Sequence, residues 1–340
     1  MNNRRATIRS VAREVGVSIS TVSNVINGRH GQMTTATLER VLSAMDRLGF
    51  RPNHVAQSLV TNRTATIGLI LSEITNSLYT PVTIGAEAAC RDAGYSLLLA
   101  NCEDIASERR IVEVMRAKQV DAVVNFSVSY FDIENDHLLR AQADGTPIVT
   151  INRHLPTDSP LSAVWFDHYG GGLQATQHLI DLGHQRIAHI AGPHHRFTGQ
   201  HRKRGYEAAL AGAGISLDPA LMVEGDYTFE CGEVLARTLW AERPTAIFVG
   251  GDAMALGVLR TLIQMGVRVP DDVSITAFGN PDFVRFATPA ITTIDLPVAT
   301  AGRVAVELAL ARIKRPEERE VRTLESTLLV RDTTATFRRS

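Results

Sequence analysis

A chain of 340 residues with 35 basic and 36 acidic side chains, a formal net charge of −1 and 44% hydrophobic residues exceeds one core and can fill two or three. No run of about 18 uncharged apolar residues occurs, and MNNRR leads into polar residues rather than an apolar signal core. Neither a membrane span nor a leader is expected, and the chain is read as soluble and cytoplasmic; Cys90, Cys102 and Cys231 stand far apart and are read as buried reduced thiols.

The first predicted elements are two short helices in IRSVAREVGVSISTVSNVIN, Ile8 to Asn27. Val11, Ala12 and Val15, then Val17, then Val22, Val25 and Ile26 make two apolar faces broken at Gly16, so the helices can share one small core. This is a helix-turn-helix pattern: Gly16 suits a turn with positive φ, Ala12 permits close approach and Ser18 can cap the second helix. That helix, roughly Ile19 to Asn27, turns Ile19, Ser20, Ser23 and Asn24 outward. A second helix of this kind enters the DNA major groove by its N-terminal part, which makes Ile19, Ser20 and Asn24 candidate base readers. The plainer reading is a three-helix domain whose Ser, Thr and Asn residues are caps and solvated positions.

A third amphipathic helix follows, with Thr34 as cap, apolar residues at Leu38, Val41, Leu42, Met45 and Leu48, and Gly49 as stop. Pro52 then ends one element, and Asn53 can cap a short helix from His54 to about Val60. Charge is unevenly spread: residues 1–63 hold nine arginines against Glu14, Glu39 and Asp46, whereas the remainder holds 26 basic against 33 acidic residues. A basic end on an acidic body is the footprint expected when one end meets phosphate, with Arg4, Arg5, Arg9, Arg29, Arg51 and Arg63 as candidate backbone contacts.

After Thr64 short apolar strands alternate with amphipathic helices, which predicts parallel sheets in an α/β architecture. Strands are expected at Ile67 to Leu71, Ser96 to Ala100, Ala122 to Phe126 and Ile148 to Ile151, separated by helices near Thr80 to Ala93, Ala106 to Lys118 and Glu134 to Asp144. A second series starts at Ala163, with strands near Ile187 to Ile190, Leu221 to Val223, Ala246 to Val249 and Ser274 to Ala277. Its helices are expected near Gly172 to Leu182, His201 to Ala213, Glu230 to Leu239 and Ala253 to Met265. Ligands of such sheets bind at the carboxyl ends of strands, so the loops there are the place to look.

The run TIRSVAREVGVSISTVSNVING, the third helix and RPNHVAQSL resemble the DNA-binding headpiece and hinge helix of the lactose-repressor and purine-repressor (LacI/GalR) family. The resemblance continues through TIGLIL, DLGHQRIAHIAGP, RPTAIFVGGDAMALGVL, VRVPDDVSITAFGN and TPAITTI, nearly to the C-terminus. It implies a headpiece over residues 1–52, a hinge over 53–63 and a two-lobed, periplasmic-binding-protein-like core over 64–340. By that resemblance one lobe takes about 64–162 and 291–322, the other about 163–290 and 323–340. It also implies a homodimer on a pseudo-palindromic double-stranded operator, as two-fold symmetry requires, with a small-molecule effector between the lobes and no cofactor.

Carried over residue by residue, the resemblance sets Thr7, Ser18, Ile19, Ser20, Thr21, Ser23, Asn24, Asn27 and Arg29 against DNA from the headpiece. From the hinge it adds Asn53, His54, Ala56, Gln57 and Leu59, the last as the leucine that wedges into the central minor groove. For the effector it implies Arg202 as the arginine that binds ligand hydroxyls or carboxylate, with Arg196 and Thr198 beside it. Arg153 can bring a third guanidinium and Tyr227 an aromatic wall, while Tyr79, near Asn76 and Leu78, either stacks on the ligand or packs at a helix start. Asp167 and Asp252 sit at strand ends, where they either cap a helix or meet the ligand.

One position departs from the family: Gly279 stands in TAFGN where an aspartate usually accepts from ligand hydroxyls, leaving Asn280 as a neighbouring substitute. With three arginines kept and one carboxylate gone, an anionic effector such as a sugar acid is expected. His194, His195 and His201 match no common zinc spacing, GGG at 170–172 fits neither nucleotide-binding glycine motif, and no nucleophile elbow occurs. The reading is therefore a non-enzyme: an effector-controlled repressor, with a solute-binding transport protein as the rival that the core alone would permit. TFRRS at the C-terminus carries no leucine heptads for a tetramerisation coil.

Overall fold

The computed structural model describes residues 6–26, 31, 33–51, 63–72, 78–127 and 134–338. Asn27, Arg29 and the hinge residues Asn53, His54, Ala56, Gln57 and Leu59 lie outside them, as do Arg4, Arg5 and Asn76. The chain divides into two units, Met1–Thr64 and Ala65–Ser340.

Local rules build the first unit. Thr7 accepts from the Ser10 amide at 3.3 Å and Ser10 accepts from the Thr7 amide, a capping box that opens α1 (Ile8–Val15), which ends at Gly16 with φ of 72°. Ser18 caps α2 (Ile19–Ile26) by accepting from the Thr21 amide at 3.0 Å, and Thr34 caps α3 (Thr35–Arg47) by accepting from the Thr37 amide. Val11, Ala12, Val15, Val22, Val25, Val41, Ala44 and Phe50 close a core between the three helices. Leu42 and Leu48, expected on the buried face of α3, are 50% and 36% exposed because the inward face runs through Val41, as expected, and Ala44.

The second unit carries two six-stranded sheets. The first is built from β1 (Thr66–Ser72), α4 (Tyr79–Asp92), β2 (Ser96–Cys102), α5 (Ile105–Ala117), β3 (Ala122–Phe126), α6 (Asp136–Ala143), β4 (Ile148–Ile151) and β5 (Ser162–Phe166). The second series is α7 (His168–Asp181), β6 (Ile187–Ala191), α8 (Phe197–Gly212), β7 (Met222–Glu224), α9 (Phe229–Ala241), β8 (Ala246–Val249), α10 (Asp252–Gln264), β9 (Ser274–Phe278) and α11 (Asp282–Phe286). The chain closes with β10 (Thr292–Asp295), α12 (Val298–Lys314), β11 (Val321–Leu324) and β12 (Thr327–Leu329).

Strand order is β11-β5-β4-β3-β1-β2 in the first sheet, all parallel, and β12-β10-β9-β8-β6-β7 in the second, parallel apart from β10 with β12. Two assignments differ from the expected lobe limits. The strand at Ser162–Phe166 pairs with β4 and belongs to the first sheet, and the strand at Thr292–Asp295 pairs with β9 and belongs to the second. The crossings fall just after each of these strands, since α7 packs on the second sheet and α12 on the first.

Reciprocal glycines let three helix pairs approach closely. A Cβ on Gly85 of α4 would lie 1.9 Å from the Ala299 carbonyl oxygen of α12, and one on Gly302 would lie 2.1 Å from that of Val82. Gly172 and Gly205 serve α7 and α8 in the same way, and Gly232 and Gly257 serve α9 and α10. No helix among the described residues is long and apolar enough to cross a membrane.

Candidate functional site

On the headpiece unit the candidate readers divide by exposure. Ile19 is 46% exposed, and Ser20 and Asn24 are exposed beside it, so the start of α2 offers a methyl-rich and an amide group together. Thr21 and Ser23 are half-buried. The Ser18 oxygen caps the helix and lies 2.6 Å from the Ser20 hydroxyl and 2.8 Å from that of Thr21, while Thr7 is occupied as the cap of α1. Two of the basic side chains hold the unit together, Arg40 on the Val15 carbonyl at 2.5 Å and Arg47 on Glu14 at 3.3 Å; Arg9, Arg51 and Arg63 are exposed.

In the core, the loop after β6 and the start of α8 bring Arg196, Thr198 and Arg202 to Tyr227 of the loop between β7 and α9. Thr198 is 3.3 Å from the Tyr227 hydroxyl, and the guanidinium carbons of Arg196 and Arg202 lie 5.8 and 5.7 Å from the Tyr227 ring centre. Arg202 is committed on several sides: it donates to the Gly250 carbonyl at 2.5 Å, stacks 3.8 Å above Phe278 and points at His168 Nδ1 at 3.4 Å. Burial lowers the pKa of its guanidinium, opposed by Tyr227 and Asp252. Burial, with the Arg202 charge behind it, also holds His168 well below the usual imidazole range. The neutral ring satisfies both neighbours if Nε2 donates to Asn152 Oδ1, 2.7 Å away, and Nδ1 accepts from Arg202.

The first lobe's candidates are more enclosed. Tyr79 is 8% exposed, lies edge-on to Phe126 with ring centres 5.0 Å apart, and places its hydroxyl 2.6 Å from Ser72. Arg153 is 0% exposed: it donates to Glu108 and to Ser127 at 3.0 and 2.9 Å, to Asn135 at 2.6 Å and to the Glu134 carbonyl at 3.2 Å. It is therefore the cation of a closed network rather than an open fork. Glu108, the anion of that network, is not among the residues singled out from sequence; its signal is the i, i+4, i+7 phase it shares with Val112 and Met115, also buried.

Asp167 caps α7 through the Gly170 amide at 2.7 Å. Asp252 opens α10 and accepts from the Ala253 amide at 2.7 Å. Unlike Asp167, it also lines a cavity of about 300 Å³ between the lobes, with Gly279 and Asn280 on the same side and Asp295 at the crossing. Leu78 and Pro81 from the α4 end, with Leu296 and Val298, supply its apolar wall. Burial raises the pKa of Asp252, opposed by the Ala253 amide and by Arg202. Asn280 Oδ1 accepts from Arg331 at 2.6 Å, so one side of the acceptor expected for the ligand is taken by the protein itself. Among the described residues the cavity is bordered by two carboxylates and by no arginine or lysine, opposite in charge to the arginine-rich pocket expected from sequence.

The histidines of the β6 loop do not gather: His194 faces Glu224 at 3.1 Å, while His201 bonds the Phe197 carbonyl at 3.2 Å. Among the described residues no group of three or more His, Cys, Asp or Glu side chains can hold a metal ion.

A helix-turn-helix joined in one chain to a two-lobed parallel-sheet core with an inter-lobe cavity defines a class, the DNA-binding regulators that carry their own ligand-binding core. Comparison with known proteins narrows the class. Residues 7–53 match the bacterial regulatory proteins of the lacI family, and residues 176–334 match the periplasmic binding protein-like domain. The transcriptional repressor PurR of Photobacterium profundum is 37% identical over 332 residues, spanning 96% of this chain and 98% of that protein. The regulator CelR of Thermobifida fusca is 36% identical, spanning 97% and 98%, and the ribose operon repressor of Escherichia coli (strain K12) is 35% identical, spanning 92% and 94%. Among solved structures, the CelR–cellobiose complex aligns with a TM-score of 0.73 at 34% identity over 97% of this chain and 100% of that one. The lac repressor dimer bound to operator and an anti-inducer aligns with a TM-score of 0.82 at 25% identity over 98% and 100%. This chain belongs to the LacI family: it is a DNA-binding transcriptional regulator, and neither the enzyme nor the transport reading is favoured.

Proposed function

We propose that this regulator acts as a homodimer on a pseudo-palindromic operator and that a neutral polyhydroxylated effector, seated in the cavity of Asp252 and Asp295, sets its operator affinity. The cavity carries this reading. Two carboxylates beside an apolar wall suit a ligand that offers hydroxyl donors on one edge and a hydrocarbon ring face on the other, and they repel an anion. Two relatives support the class: CelR has been solved with cellobiose, and a LacI-family regulator of Enterococcus faecium with bound ribose. On the DNA side, Ile19, Ser20 and Asn24 are the base readers, with the headpiece running to residue 52 and the hinge over 53–63 joining it to the core. Arg202, Arg196, Thr198 and Tyr227 stand outside the lining of the cavity, with Arg202 bonded to the Gly250 carbonyl two residues before Asp252, while Tyr79 and Arg153 stay within the core.

The test is fluorescence anisotropy of the full chain on DNA that it selects from a random pool, with D-ribose, cellobiose, D-gluconate or a purine added. A change in operator affinity with a neutral sugar, in either direction, supports the reading, the sign separating inducer from corepressor. A response confined to gluconate or to purines refutes the effector class.

A further inference from the structure

The chain enters the core unit at Ala65, immediately before β1, with φ of 50°. An alanine is strained in this left-handed region, where glycine is the usual occupant. The other non-glycine residues with positive φ among those described are Gln119, Asn152, Tyr227 and Arg243. Gln119 and Arg243 close helices and the other two sit in loops, so Ala65 alone of the five stands directly before a strand. Three hydrogen bonds surround it. Its amide donates to Asp121 Oδ2 at 3.0 Å, its carbonyl accepts from the Ser96 amide at 2.8 Å, and the Thr66 carbonyl accepts from the Asp121 amide at 2.8 Å. Asp121 is delivered here by the tight close of α5, where the Gln119 and Val120 amides bond back to the Arg116 and Met115 carbonyls, and by the register of β3, which sets Ala122 opposite Ile67. The two backbone bonds fix the chain on the strand side of Ala65. The carboxylate fixes its amide, and with it the peptide plane through which the chain arrives.

Resting on the reading of the chain as a homodimer whose hinge joins headpiece to core, we propose that Asp121 is a positioning residue for operator binding: by holding Ala65 left-handed, it sets the direction in which the hinge leaves the first lobe. Two protomers must deliver two hinges to one pseudo-palindromic site. A fixed exit from each core pre-organises that delivery, whereas a free exit leaves the ordering to be done at the expense of binding. Without the carboxylate, Ala65 relaxes to negative φ and the residues before it change course. The effect enters twice in each operator complex, once per protomer. Nonspecific binding rests on phosphate contacts that need no fixed half-site spacing, so it does not depend on the exit.

The experiment is competition anisotropy at fixed salt, on the operator selected from a random pool and on a nonspecific duplex, with urea unfolding of each protein. It uses the full chain, Asp121→Ala, Ala65→Val, and the double variant Asp121→Ala with Ala65→Gly. Asp121→Ala should bind the operator at least about tenfold more weakly, the scale of one left-handed alanine, while its nonspecific affinity stays within about twofold. Glycine at 65 adopts the left-handed turn unaided and adds no contact, so the double variant should recover at least about threefold of that loss. A merely structural role for Asp121 would not be rescued in this way. Ala65→Val places a β-branched residue at positive φ without touching the carboxylate, and should weaken operator binding at least about fivefold. It carries the test should Asp121→Ala fail to fold. Operator affinity within about twofold of wild type in Asp121→Ala or Ala65→Val, an equal loss on both DNAs, or a loss that glycine at 65 does not recover overturns the assignment and leaves the homodimer reading intact. A wild type that shows no preference for the selected operator overturns both.

Discussion

Glu108→Gln is the substitution with the largest consequence that the fold allows to be worked out in advance. Glu108 is 0% exposed on α5, with Arg153 Nη1 at 3.0 Å, His137 Nε2 at 2.5 Å and the Ser127 hydroxyl also bonded to it. Burial by itself would raise its pKa from 4.5, but the His137 bond, the Arg153 charge and the Ser127 and Arg153 hydrogen bonds together bring it down to about 2. A carboxyl lowered on folding contributes stability that is fully present above its unfolded value and is lost as pH falls toward the folded one. Between about 4.5 and about 2 that contribution is about 3 kcal/mol. An independent route gives a similar size, because removing one partner of a buried ion pair leaves the other uncompensated at about 3–5 kcal/mol. Urea unfolding should therefore show the variant about 3 kcal/mol less stable at about pH 7, with the gap falling to about half at about pH 3 and closing only as the pH falls through about 2. A gap under about 1 kcal/mol at neutral pH, or one that persists unchanged in acid, would refute the reasoning. Asn125 and Ser127, at the end of β3, share Arg153 with Glu108 and would lose that arrangement with it.

Asn24→Ala should weaken binding to the selected operator by about 1–3 kcal/mol while leaving nonspecific DNA affinity unchanged, measured by competition anisotropy at fixed salt; equal losses would remove it from the readers. Gly85→Ala should cost about 1–3 kcal/mol, because the new methyl group meets the Ala299 backbone at 1.9 Å and α4 must move off α12; an unchanged urea midpoint would count against that close contact. His189, 0% exposed between Tyr206 and Phe248 with ring centres 4.8 and 4.6 Å away, is lowered by burial to a pKa of about 4. The unfolded chain takes up that proton below about 6.5, so the histidine withdraws up to about 3 kcal/mol of stability as pH falls to about 4. His189→Phe should flatten the stability–pH curve across that window, and an unchanged slope would show that the ring is solvated.

Strands built almost wholly of apolar residues are legible to the residue, as at Ala122–Phe126, Ile148–Ile151 and Ala246–Val249, because short, largely apolar runs bounded by turn residues fit a buried strand. Helix starts read late where the first turn is glycine-rich or charged. The helix expected from Gly172 begins at His168, with Asp167 rather than a glycine setting its first turn, and the one expected from His201 begins at Phe197. Sheet membership of β5 and β10 is not legible, since pairing depends on where the chain crosses, and both crossings are set by which helix packs on which face. The expected charge of the pocket differs from that of the cavity's lining for a related reason. Counting arginines along the sequence credits Arg153 to the ligand, although a glutamate 45 positions away encloses it. It also counts the carboxylate missing at Gly279 as a loss, although Asp252 fills that space.

An effector changes operator affinity only through contacts that differ between lobe arrangements, so the groups spanning the lobes decide what it can do. Phe197, 3% exposed at the start of α8, packs on Trp165 of β5 with ring centres 4.9 Å apart, and on His154 at 5.6 Å. A few residues on, Arg202 reaches His168, and His168 reaches Asn152 beyond β4, so the second lobe holds the first through one neutral imidazole. The opposite side of Arg202 is fixed to the Gly250 carbonyl, two residues before Asp252. A ligand seated on Asp252 lies near a chain of contacts, guanidinium to imidazole to amide, that ends in the other lobe. Pulling the guanidinium toward the cavity weakens the hold on Asn152, while leaving it in place preserves that hold.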